Sequence, residues 1–213
     1  MVHGNVPVTS DPQSKMKKHV IASAALCALL SVPAFAQAPA SGPWLVRARA
    51  VHLDSANNDS TGLDLSINNK WLPEVDISYF VTPNIAAELI LTIPQKHTLR
   101  SGGTDIGTLR HLPPTLTMQY HFAPTAAVRP YVGAGVNYTH FSSVNLPAGV
   151  DIKRNSWGPA VQAGLDFPIG GNMVLNVDVK KAYIRTDVSA AGVDIGKFKV
   201  DPVLFGVGIG WRF

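Results

Sequence analysis

The run Val203-Leu-Phe-Gly-Val-Gly-Ile-Gly-Trp-Arg-Phe213 closes the chain and decides its fold class. Val203, Phe205, Val207, Ile209, Trp211 and Phe213 alternate with Leu204, Gly206, Gly208, Gly210 and Arg212. A strict period of two puts the first set on one face of a β-strand and the second set on the other. In a small soluble barrel the apolar face would turn inward, and the opposite face would carry charge for water. Here the second face is small and rich in glycine, as a narrow barrel interior with little room for side chains requires. The apolar face must then meet lipid. The same alternation ending in an aromatic carboxy-terminus is the form read by the outer-membrane assembly machinery. Phe205, Val207, Ile209, Trp211 and Phe213 are therefore the expected assembly signal, and that machinery is an expected partner.

Upstream the pattern repeats. Val132, Ala134, Val136 and Tyr138 oppose Tyr131, Gly133, Gly135, Asn137 and Thr139, while Val161, Ala163, Leu165 and Phe167 oppose Gln162, Gly164 and Asp166. Between such runs lie stretches of turn chemistry that alternate in length. Residues 54–70, 99–108, 143–155 and 186–201 are long, whereas 82–84, 123–127 and 168–172 are short. Seven connections, long then short, join eight strands. Outer-membrane barrels have this asymmetry because their periplasmic turns are short and their extracellular loops long. The sequence thus predicts an all-β fold, an eight-stranded antiparallel transmembrane barrel with both termini in the periplasm. Trp44, Tyr79, Tyr120, Phe122, Trp157, Phe167 and Trp211 near strand ends fit interfacial girdles.

Composition is consistent with this class and excludes others. Of 213 residues only 15% are charged and 46% are hydrophobic. An ordinary soluble domain carries about 25% charged residues, and disorder needs more charge and fewer apolar groups. The formal charge of +4 is spread thinly, with no basic cluster to meet a phosphate backbone, so no nucleic-acid partner is expected. Lys17, Lys18 and His19 followed by the apolar run 20–30 and then Ala34-Phe35-Ala36 form a secretory signal, with cleavage expected between Ala36 and Gln37. Met16 precedes the basic pair and is the expected start. Residues 1–15 are then an upstream extension, 16–36 a cleaved signal peptide and 37–213 a single barrel domain. Cys27, the only cysteine, falls in the leader, which removes disulfides and thiolate chemistry from the mature chain.

Other chemistry is scarce. Gly206-Val-Gly208-Ile-Gly210 has glycines at strand period and no helix to follow, so it is no phosphate loop. His52, His97, His111, His121 and His140 lack metal-ligand spacing, although His97 and His111 flank one long connection and could lie close together as a solvated surface pair. Ser142 and Ser143 follow His140 at a strand end, but no positioned acid completes a hydrolytic triad. No catalytic residue, metal or cofactor is expected.

The chain resembles the OmpW family of outer-membrane proteins, which includes the AlkL-type alkane importers. The resemblance rests on Trp44-Leu-Val-Arg-Ala-Arg49, Asp76-Ile-Ser-Tyr-Phe80, Thr82-Pro-Asn-Ile-Ala-Ala-Glu-Leu89, His111-Leu-Pro-Pro-Thr-Leu116, Arg129-Pro-Tyr-Val-Gly-Ala-Gly135, Ser156-Trp157-Gly158 and Gly210-Trp-Arg-Phe213. It implies residence in the outer membrane of a Gram-negative bacterium, among lipid and lipopolysaccharide. It also implies passive passage of small hydrophobic molecules through a narrow, partly apolar lumen, with lateral release into the bilayer. Two alternatives stand beside it: a barrel that serves envelope structure or surface display, and a small aqueous or ion-conducting pore.

Strand parity names the residues of that lumen. Ala87, Leu89, Leu91 and Ile93 face lipid, so Glu88, Ile90 and Thr92 face inward. Ile90 is the candidate constriction, with Phe80 and Leu204 added by the same count. Arg47, Arg49, Glu74, Asp76, Glu88, Arg129, Asp166, Asp178, Lys180 and Arg212 also fall inward. Carboxylates and cations in such numbers predict a paired internal network that ties strands together, since an unpaired buried charge is costly.

Overall fold

The computed structural model describes residues 42–213, and the leader, its cleavage point and the Met16 start lie outside the described residues. In chain order the strands are β1 (Trp44–Asp54), β2 (Asn58–Asp59), β3 (Leu65–Ile67), β4 (Lys70–Phe80), β5 (Ile85–Thr92), β6 (Gln95–Ser101), β7 (Thr104–Leu112) and β8 (Thr115–His121). They continue as β9 (Arg129–Asn145), β10 (Val150–Ile152), β11 (Asn155–Gly170), β12 (Met173–Ala182), β13 (Arg185–Ala190), β14 (Val193–Lys199) and β15 (Val203–Arg212). Eight of them, β1, β4, β5, β8, β9, β11, β12 and β15, pair antiparallel in that order. The β1–β15 ladder closes the ring, from Leu45 opposite Arg212 to Asp54 opposite Val203. Closure leaves the ring no free edge, the condition for a sheet to stand in lipid.

The alternation seen in the sequence sorts the two faces. Leu89, Leu91 and Ile93 are exposed on β5 and its end while Glu88 and Ile90 are buried. On β15 Phe205, Val207, Ile209 and Trp211 are exposed against a buried Leu204. Exposed aromatics sit at two levels of this apolar belt. Trp44, Tyr79, Tyr120, Phe122 and Trp211 mark one end, and Trp71 and Trp157 the other. Tyr79 and Trp71 are eight residues apart on β4, about 27 Å of strand. With the usual tilt that spans an outer-membrane belt.

Glycines on the inner face make room for large side chains. A Cβ at Gly210 would lie 2.6 Å from Arg47 Cγ, and one at Gly208 would lie 2.6 Å from Arg49 Cγ. Gly164 faces the Tyr131 ring, and a Cβ there would lie 2.7 Å from Cε1. The period-two glycines of β15 and Gly164 on β11 are clearance for two arginines and a tyrosine.

The four long connections are in place, and the structure adds that they are themselves built of strand. Most of the segments read as turn chemistry are strand: β6 and β7 form a hairpin, β13 and β14 form another, and β2, β3 and β10 add to them. Together they extend the barrel past the apolar belt as a cap. Its interior is an apolar core including Leu65, Ile67, Leu99, Leu109, Phe141, Ile152, Ile184, Val188, Phe198 and Val200. The turn signals were real but belonged to short hairpin tips such as Gly102-Gly103 and Ala191-Gly192, where positive φ favours glycine.

Candidate functional site

The interior is layered. At the periplasmic end Leu45, Phe80, Ala86 and Val174 form a small apolar floor. Above it lies a charged layer centred on β1, whose alternate residues Arg47 and Arg49 point inward and are buried. Arg47 donates from Nε to Asp76 at 2.8 Å, from Nη2 to Glu88 at 2.9 Å and Ser78 at 3.0 Å, and from Nη1 to Asp166 at 3.2 Å. Arg49 donates from Nη2 to the other Asp76 oxygen at 2.5 Å and from Nη1 to Asn176 at 3.1 Å, and its Nε lies 3.1 Å from Glu74. Lys180 donates to Glu74 at 2.8 Å and stands 3.5 Å from Asp178.

Three cations thus face five carboxylates. The acceptor capacity left over is filled by neutral donors. The Tyr131 hydroxyl donates to Asp178 at 2.9 Å, Thr117 and Gln162 donate to Glu88 at 2.9 and 2.5 Å, and Asn176 donates to Asp166 at 2.7 Å. Such a layer is held together because every carboxylate has partners, and a half-satisfied version would cost more than an apolar filling. The sequence expectation also placed Arg129 and Arg212 in it, and they stand apart. Arg129 Nε donates to the Ala126 carbonyl at 3.1 Å. Arg212 Nε donates to the Gly42 carbonyl at 3.1 Å, with its guanidinium 3.9 Å from the Phe80 ring centroid. Both sit at the periplasmic ends of their strands, Arg129 as the first residue of β9 and Arg212 as the last of β15. The neutral members of the layer, Tyr131, Gln162, Asn176, Gln119 and Thr117, were not singled out as site residues, although the inward parity that selected Asp166 and Asp178 also holds Gln162 and Asn176.

Directly above this layer is a narrow cleft with a cavity volume of about 30 Å³. Glu74 and Lys180 form part of its base. Leu53, Leu72, Ile90, Pro113, Ala182, Ile184, Pro202 and Leu204 supply an apolar wall, with Thr92, Gln95, His111, Thr115 and Asn137 as polar points. Of the three candidate constriction residues, Ile90 and Leu204 line this cleft. Phe80 does not; it lies in the floor below the charged layer.

The wall beside the cleft has a break. The β5–β8 ladder ends at Ile90 opposite Thr115, and the β6–β7 ladder begins at Gln95 opposite His111. The chain between them holds Pro94 on one side and Pro113 and Pro114 on the other. Proline has no N–H to give, so these residues cannot carry the ladder across. The Pro113 and Pro114 carbonyls instead receive the Asn137 amide at 3.3 and 3.4 Å, and Tyr138 N donates to the Pro114 carbonyl at 3.0 Å.

His111 crowns the cleft and stacks on His97, with ring centroids 4.6 Å apart and planes 9° from parallel. The sequence expectation of a solvated surface pair is corrected here, because both rings are buried. They lie in the cap, beyond the apolar belt, since their strand neighbours Lys96 and Arg110 point outward. His97 Nδ1 is 3.1 Å from the Asn68 carbonyl, whereas His97 Nε2 and both His111 nitrogens have no partner. Burial pushes His97 down to about 4 and His111 down to about 3; the nearby charge of Lys70 adds to both, and His97 adds to His111. Both rings are neutral at pH 7. His140 stands elsewhere, exposed, with Nδ1 2.8 Å from Asn155 Oδ1 rather than from a serine or carboxylate.

Comparison with known proteins places these features in context. Residues 41–213 match the family described as the OmpW family. The chain is 41% identical over 184 residues to an uncharacterized outer-membrane protein, y4mB, of Sinorhizobium fredii, covering 80% of each chain. It is 29% identical over 171 residues to the dibenzothiophene metabolism operon protein PahQ of Pseudomonas aeruginosa, covering 76% of this chain and 80% of the relative. The solid-state NMR structure of the outer membrane protein AlkL in lipid bilayers superposes with a TM-score of 0.64 at 27% identity, over 86% of this chain and 95% of that one.

Proposed function

Because the chain belongs to the OmpW family of Gram-negative outer-membrane barrels, we propose that it gives small hydrophobic molecules passive passage from the cap interior into the bilayer through the barrel wall. The observation that carries this is the position of the cleft. Below it the charged layer fills the barrel cross-section with side chains that are almost wholly buried, Arg47, Asp76 and Glu88 among them. A straight path to the periplasm would break those ion pairs. Above it the interior is apolar, and beside it the wall lacks ladder bonds between Ile90–Thr115 and Gln95–His111. An apolar solute that reaches Ile90 and Leu204 loses little by moving sideways into lipid, whereas moving downward demands that it separate charges. Water and ions meet the reverse preference. A relative whose name ties it to dibenzothiophene metabolism, and the resemblance to alkane importers, point to the same class of solute.

Uptake of a matched pair of solutes, one apolar and one polar and of similar size, tests this in cells with the wild-type barrel, the Ile90→Arg variant or no barrel. The expected result is apolar uptake that rises with the wild type and returns to background with the variant. Equal apolar uptake with and without the barrel would leave the structural role. A gain for the polar solute alone would mean a small aqueous pore.

A further inference from the structure

The outer wall of the cap carries a feature that the passage of solutes does not use. Lys96 on β6 and Arg110 on β7 are direct register partners, and both point outward, since their neighbours Gln95, His97, Leu109 and His111 are buried on the inner side. Like charges directly opposite one another on an antiparallel pair repel and destabilise it. Neither side chain takes part in an ion pair among the described residues, while Arg100 on the same hairpin pairs with Asp105 at 2.7 Å. The two cations border an open hollow of about 140 Å³ whose other walls are Thr108, Ser143 and Asn145, with no carboxylate among them. The hollow has a structural cause. The β7–β9 register shifts between Thr108 opposite Asn145 and Arg110 opposite Ser142, and the extra residue Ser143 takes a φ of 46°. Such a bulge re-aims side chains and opens the sheet surface.

Depth selects the ligand. Ile93, the last exposed apolar residue before β6, precedes Lys96 by three residues, about 10 Å of extended chain. Allowing for tilt, Lys96 and Arg110 stand just outside the hydrocarbon belt, at the level of lipid headgroups. An ammonium, a guanidinium and short hydroxyl and amide side chains around one hollow are a donor set for a phosphoryl group. We propose that Lys96 and Arg110, with Thr108, Ser143 and Asn145, form a site for the phosphoryl group of an outer-leaflet lipid, of the kind lipopolysaccharide carries. The bound anion would relieve the repulsion between the two cations and fasten the cap hairpin to the membrane surface beside the break in the wall.

Binding of diphosphoryl lipid A to the full folded barrel in zwitterionic detergent, followed by native mass spectrometry, provides the test. Lys96→Gln/Arg110→Gln should weaken binding at least tenfold, and a lipid A lacking phosphate should bind the wild type about as poorly. The charge-keeping Lys96→Arg/Arg110→Lys should retain most of the binding, and Arg100→Gln/Lys197→Gln, which removes two cap cations elsewhere, should leave it within twofold. Folding of each variant is checked by the mobility shift between heated and unheated samples. Lipid A binding that is indifferent to Lys96→Gln/Arg110→Gln would overturn the site. Inorganic phosphate that binds as tightly as the lipid and displaces it would overturn the lipid as the source and leave a soluble anion. Solute uptake does not enter any of these readings, so the proposal stands or falls apart from the passage.

Discussion

The lower and upper halves of the barrel interior solve the same filling problem in opposite ways. Below the cleft, the inward positions of β1, β4, β5, β11 and β12 carry Arg47, Arg49, Asp76, Glu88, Asp166 and Asp178, and the space is closed by ion pairs and hydrogen bonds. Above it, inward positions carry Leu65, Leu99, Leu109, Phe141 and Phe198, and the space is closed mainly by apolar contact. Directional bonds hold a plug in one arrangement, whereas apolar side chains can rearrange around a guest without leaving a polar group unpaired. The difference is what makes the lower half the stop and the upper half the route in the proposed function.

The sharpest way to break that contrast is to unbalance the stop. Arg47 serves Asp76, Glu88 and Asp166 at once. Arg47→Met removes the shared partner and leaves three buried carboxylates short of charge, so it should cost about 3–5 kcal/mol in urea unfolding of the lipid-embedded barrel. A loss below about 1 kcal/mol would show that the layer is not a cooperative plug. Glu88→Gln is gentler. It keeps the shape and removes one charge facing both arginines, Thr117 and Gln162. About 1–3 kcal/mol of stability should go, with apolar uptake unchanged, because the plug lies below the proposed route. Uptake that falls with Glu88→Gln while melting stays put would move the route into the charged layer.

The break in the wall sharpens the comparison from the upper side. Pro94→Thr combined with Pro113→Thr returns two N–H groups to the segment between Ile90–Thr115 and Gln95–His111. If that break is the exit, apolar uptake should drop severalfold while stability moves by about 1 kcal/mol or less. Unchanged uptake with a stabilised barrel would point to a different exit.

How far the sequence reaches depends on which half is considered. Inward parity alone gave Arg47, Arg49, Glu74, Asp76, Glu88, Asp166, Asp178 and Lys180, because a period of two leaves no choice once one face is known to be apolar. It could not say that Arg129 and Arg212 fall below the layer, because parity carries no information on height, and height follows from strand stagger around the ring. The same limit explains why Phe80 shares the parity of Ile90 yet lies on the far side of the charges. The cap was the least legible part. Asn, Asp, Ser and Gly in residues 54–70 and 186–201 signal turns. Among the described residues the turns prove to be the tips and corners of hairpins, with Leu65, Val188 and Phe198 between them pointing inward. Short strands with mixed faces lack the clean alternation that marks a lipid-facing strand. The burial of His97 and His111 was hidden for the same reason.

Those two histidines give the smallest effect and the most selective probe of the upper half. An unfolded chain protonates histidine near pH 6.5, whereas in the folded cap burial holds His97 down to about 4 and His111 down to about 3. Above pH 6.5 both states are neutral at these positions, so the pair makes no difference to stability. As the pH falls below that value the unfolded state takes up protons that the native state refuses, and stability falls until the pH reaches the folded values. Between pH 7 and pH 6, before carboxylates titrate, the loss should be on the order of 1 kcal/mol for the pair. His97→Phe/His111→Phe keeps two stacked rings and removes the protons, so it should flatten that part of the curve. The protection of β6 and β7 amides, after correction for the intrinsic exchange rate at each pH, should fall toward pH 6 in the wild type only, with the protection of β1 and β4 amides unchanged. An equal loss of protection in both strand pairs would mean that the cap and the charged layer open as one unit, and the proposed division between stop and route would have to be redrawn.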